Sequence, residues 1–83
     1  MKLEQQLSDA EIITTPDRLN EILQKPRDGT KYIYHRGEIA IDKSNNKDLK
    51  YISFLVNRFA EKKLLMPFQK RIKEGQSVYF FVR

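Results

Sequence analysis

Two short runs of this chain carry side chains suited to holding a polyanion. From residue 47 to residue 61 stand Lys47, Lys50, Tyr51, Phe54, Asn57, Arg58 and Glu61. Their spacing puts them along one side of a helix. Cations placed that way meet phosphates along a groove, where Asn57 or Arg58 could reach base edges. Further on, Gln69, Lys70, Arg71 and Lys73 cluster on a second run that could grip a phosphate backbone. Each set also has a plainer explanation. Charged helices present solvated faces, and lysines on an exposed strand discourage aggregation. Phe54 fits neither explanation, being a bulky aromatic among lysines. With Tyr51 it reads as the anchor of a protein contact, either with a second copy of the chain or with a target, unless Leu3 or Leu7 of its own chain covers it.

Other chemistry finds little support. His35 is the one histidine and there is no cysteine, so the three or four ligands of a zinc site cannot be assembled from these types. A general base at His35 would need a nucleophile and a cleft, and no candidate stands out. A structural or surface histidine is the expectation. The glycines stand alone at positions 29, 37 and 75, so no glycine-rich phosphate loop exists. Tyr32, Tyr34, Tyr79, Phe80 and Phe81 could stack bases, but so small a domain needs aromatics to fill its core. The chain reads as a non-enzymatic protein without cofactor, metal or small-molecule substrate.

Charge is unevenly spread. Lys43–Arg83 holds ten Lys and Arg against three acids, a balance of +7, while Met1–Asp42 holds six against eight, a balance of −2, which together give the net +5. Such segregation marks the second half for double-stranded DNA or an acidic protein surface. Eighty-three residues make one core. A chain this short buries only roughly 60% of its unfolded surface. The absence of cysteine points to a reducing, cytoplasmic setting. The opening MKLEQQLSDAE has neither signal-peptide nor membrane-anchor character, and no stretch is long and apolar enough to span a bilayer.

The elements that position these residues follow from local signals. Ser8 with Glu11 has capping-box spacing, yet Glu11–Thr14 suits a short strand equally well. Thr15-Pro16-Asp17 starts a helix that Pro26 closes at about Lys25, with Leu19, Ile22 and Leu23 as its apolar stripe. Tyr32, Ile33 and Tyr34 make a strand that Gly37 interrupts, and Glu38–Asp42 either continues it or forms one helical turn. A long helix is expected from about Lys47 to Lys63. Leu49, Ile52, Val56, Phe59 and Ala60 lie on its core-facing side, with Leu55 on the flank. Pro67 forbids more helix, and Phe68–Ile72 and Ser77–Val82 pair around the turn Lys73-Glu74-Gly75-Gln76.

In its order of helix, strand, helical segment, long helix and hairpin, the chain resembles a compact winged-helix domain, of the kind common in small phage and mobile-element proteins. The resemblance rests on LLMPFQKRIKEGQSVYFFVR from Leu64 to Arg83, which looks like a wing, and on YIYHRGEIAID from Tyr32 to Asp42. It covers roughly Thr15 to Arg83 through patterns of residue class. Arg36–Asp42 is short for the second helix of a helix-turn-helix. The resemblance implies an α+β fold, with helices followed by a small C-terminal antiparallel hairpin. It implies an N-terminal arm at 1–14, partly flexible, and a domain at 15–83. The function it implies is duplex binding, with the long helix in the major groove and the hairpin on the backbone. Winged helices also serve as protein-interaction modules, so a phage-encoded inhibitor of a host protein is the alternative.

Overall fold

A computed structural model describes residues 10–83. Its elements are β1 (Glu11–Ile12), α1 (Pro16–Leu23), β2 (Lys31–Gly37), α2 (Ile39–Asp42), a 3-10 turn at Lys43–Asn45, α3 (Lys47–Glu61), β3 (Met66–Lys73) and β4 (Gln76–Val82). The strands form one mixed sheet in the order β1-β2-β4-β3, with β1 parallel to β2 and the remaining pairs antiparallel.

The helices begin where the caps place them. Thr15 Oγ1 accepts from Arg18 N at 3.3 Å and Pro16 follows it, while Asn46 Oδ1 accepts from Leu49 N at 3.0 Å. α3 ends in a Schellman turn, in which Leu64 N donates to Phe59 O at 2.9 Å and Lys63 N to Ala60 O at 3.0 Å. Lys63 occupies the left-handed position usually given to glycine, at φ 61°. One helical turn at Glu38–Asp42, rather than more strand, resolves the alternative left open by the sequence.

The helices among the described residues cover one face of the sheet. Leu19 and Ile22 of α1 and Ile52 and Val56 of α3 pack with Ile13, Tyr32, Tyr34, Leu65, Tyr79 and Phe81 in the main core, with Phe59, Ala60 and Leu55 partly buried against it. Tyr32 and Phe81 stack at 5.4 Å between centroids. On the opposite face Ile33, Val78 and Phe80 form a second cluster, joined by Ala10 and Val82.

Two ties close the structure. Arg18 clasps Glu11 through Nε at 2.5 Å and Nη2 at 2.6 Å, joining α1 to β1 and holding the Glu11 carboxyl below the usual carboxylate range. At the other end, the Arg83 guanidinium donates to the carbonyls of Leu23 at 3.2 Å, Lys25 at 2.8 Å and Leu64 at 2.5 Å. It thereby caps the end of α1 and fixes the loop after α3.

The class is α+β as expected, but the winged-helix-like arrangement of helices with a small C-terminal hairpin is not what forms. β4 explains the difference. Ser77 to Phe81 are buried without interruption, on both faces of the sheet. A strand buried on both faces belongs inside a sheet, and β4 pairs with β2 on one edge as well as with β3 on the other. β1 extends the sheet further: Glu11 and Ile12 pair with Tyr32 and Ile33, and Ile13 N donates to Ile33 O at 2.7 Å. The capping-box turn at Ser8 and the covering of Phe54 by Leu3 or Leu7 concern residues outside those described.

Candidate nucleic-acid interface

α3 lies on the sheet with Leu49, Ile52 and Val56 buried beneath it, which turns Lys47, Lys50, Tyr51, Phe54 and Arg58 to the outside. Tyr51 and Phe54 are 51% and 53% exposed and stack at 6.4 Å, with Arg58 Cζ 5.6 Å above the Phe54 ring. This helix surface matches the periodicity of the sequence. Lys47, Lys50 and Arg58 form no ion pair with a described acid.

The hairpin residues do not act as one cluster. In β3, Gln69 stands opposite Tyr79 and Arg71 opposite Ser77, while Lys70 stands opposite Val78. Side chains alternate along a strand, so Gln69 and Arg71 occupy the helix-covered face and Lys70 the other. Contacts agree with this. Gln69 Nε2 donates to Ser77 Oγ at 3.5 Å and to Tyr79 Oη at 3.4 Å, whereas Lys70 borders a cavity with Lys31, Phe68, Phe80 and Val82. Lys73 sits past a bulge, opposite Gln76 at the turn.

A groove of about 360 Å³ runs between α3 and β3, lined by Ser53 and Asn57 from the helix and by Pro67, Phe68 and Gln69 from the strand. Lys43 of the 3-10 turn and Tyr34, Ile39 and Tyr79 complete it. Burial pushes the Tyr34 hydroxyl up to about 12. Tyr79 Oη accepts from Gln69 and from Ile39 N at 3.3 Å, so one hydroxyl joins β3, β4 and α2 at the groove floor. Lys43 and Tyr79 were not singled out for this site by the sequence, because only the tertiary fold brings the 3-10 turn and β4 beside α3; Ser53 lies on α3 itself, one turn from Lys50 and from Asn57, so helical spacing was the signal that could have found it.

His35 is tied to the helical turn that follows β2. Its Nε2 lies 2.7 Å from Asp42 Oδ2, which also accepts from Glu38 N at 3.2 Å. This clasp folds α2 back against the end of β2 and so sets where Lys43 stands. Gly37 makes room for it: at φ +128° a Cβ there would lie 2.7 Å from Asp42 Oδ2 and 3.3 Å from His35 Nε2. Among the described residues, no three of His, Asp and Glu gather to hold a metal ion, and no helix is long and apolar enough to cross a membrane.

No family model, characterised protein or solved structure matches this chain, so nothing from relatives supports the winged-helix resemblance or a phage source.

Proposed function

We propose that the chain is a non-enzymatic protein that binds double-stranded DNA in the cytoplasm. The observation that carries this is the groove between α3 and β3. Lys43, Asn57, Ser53 and Gln69 line it, Lys50 lies one turn from Ser53 and two turns from Asn57 on α3, and Arg71 follows Gln69 on the same face of β3. Lys47 and Arg58 extend the basic surface along the helix. Cations without acidic partners attract phosphates, and the amide and hydroxyl groups between them can donate to phosphate or base edges. Lys70 has no part in this surface, and Lys73 lies at its margin.

Five phosphate contacts, from Lys43, Lys47, Lys50, Arg58 and Arg71, would give a slope of log K against log salt of about −4.5. Fluorescence anisotropy of a labelled duplex over a range of salt tests this. No binding at low salt removes DNA from the reading.

A second reading rests on a separate observation, the exposed Tyr51–Phe54 stack. Two half-exposed rings beside Arg58 resemble the anchors of a protein interface, with the lysines steering an acidic surface toward them. Such a module could be a phage-encoded inhibitor of a host protein. Under this reading Phe54→Ala abolishes nuclease-resistant capture of a partner from lysate, or a self-association seen by sedimentation, and leaves duplex binding nearly unchanged.

A further inference from the structure

We propose that the free edge of β3 accepts an extended acidic peptide as a fifth strand of the sheet. This goes beyond the DNA reading and does not depend on it. β3 ends the sheet, and all eight of its residues are exposed. Among the described residues no strand pairs with its outer edge, so that edge presents backbone donors and acceptors to whatever approaches. Added strands bind through such an edge, with pockets for alternate side chains conferring specificity.

The strand's own residues select the occupant. In an antiparallel pairing of two copies centred on Lys70 and Arg71, like charges would be brought together. An acidic strand meets the opposite sign at the same positions. Edge lysines alone would need only the protective explanation, but β3 is also flanked by a cavity on each face of the sheet. The helix-side groove of about 360 Å³ is polar and holds Lys43, Ser53, Asn57 and Gln69. The cavity on the other face, also about 360 Å³, has an apolar wall of Phe68, Phe80 and Val82 and is also lined by Lys31, Gln69 and Lys70. Phe68 borders both. Since side chains of a strand alternate between faces, the peptide that fits has acids at every second position, toward Lys43 and Arg71, and apolar residues between them.

The probe is a capped octapeptide alternating glutamate with valine, titrated into the isotopically labelled full chain. Two further versions carry N-methyl groups, on the glutamate amides or on the valine amides. Strand addition predicts saturable binding with amide shifts centred on β3. One methylated version should lose affinity by on the order of tenfold or more and the other should keep it, because only one alternate set of amides faces the edge. The charge reversal Arg71→Glu, at an exposed position on the face that meets the glutamates, should weaken the unmodified peptide by about fivefold. Equal affinity for both methylated versions, shifts centred on the exposed face of α3, or no binding would each overturn the proposal. Duplex titration of the same sample reads the DNA proposal separately.

Discussion

β3 and β4 belong to one hairpin and have similar lengths, yet one is exposed at every residue and the other is buried from Ser77 to Phe81. Hydrophobicity alone does not separate them, since β3 carries Met66, Phe68 and Ile72. The number of partners does. β4 is paired on both edges and covered on the helix side by the main core, with the second cluster on its other face. β3 is paired once, and its basic residues lie where a further partner would approach. Stability therefore resides in β4, and the proposed recognition surfaces lie on β3 and the helix beside it.

The sharpest way to break that contrast is to truncate one ring in each strand. Phe81→Ala removes a fully buried ring stacked on Tyr32 and should cost about 3–5 kcal/mol. Phe68 is 43% exposed and stacks on Phe80 at 5.3 Å, so Phe68→Ala should cost about 1 kcal/mol. Urea unfolding of the two variants checks this, and equal losses would mean that β3 carries as much of the core as β4.

A second test uses Tyr34, which packs beside Tyr79 and Phe81 of β4 and borders the groove toward β3. Its hydroxyl ionises near 10.0 in an unfolded chain and near 12 in the fold, because burial disfavours the phenolate. The folded state thus holds its proton more tightly. The contribution is fully present below pH 10 and is lost as pH rises toward 12, amounting to roughly 2–3 kcal/mol. Stability measured across that window should fall in the natural protein, and Tyr34→Phe should flatten the part of the fall due to this group.

A smaller effect is expected where α3 hands the chain to β3. Lys63 holds a left-handed conformation at φ 61°, so Lys63→Gly should relieve strain and raise stability by about 0.5–1 kcal/mol. Thermal unfolding would register this, and a loss of stability would show that the lysine side chain contributes more than its backbone costs.

The contrast between the strands also marks what could be read from sequence. α3 and its buried stripe of Leu49, Ile52 and Val56 were legible because helical periodicity is local, as was the helix start at Thr15. The four-stranded sheet was not, since pairing of β4 with β2 joins residues forty or more positions apart, such as Lys31 with Val82. A signal existed in the unbroken run Val78-Tyr79-Phe80-Phe81, which suits a strand buried on both faces better than half of an exposed hairpin. The separation of Lys70 from Arg71 was equally readable from strand alternation. β1, only two residues long, has too little pattern to distinguish it from a turn.

Central to this account is that α3 and the helix-side positions of β3 act as one DNA-binding surface while Lys70 stands apart. The direct measurement is the salt dependence of duplex affinity for Arg71→Ala and Lys70→Ala beside the natural protein. Losing Arg71 should flatten the slope of log K against log salt by about 1, and losing Lys70 should leave it nearly unchanged. Equal flattening by both variants, or none from Arg71, would contradict the account.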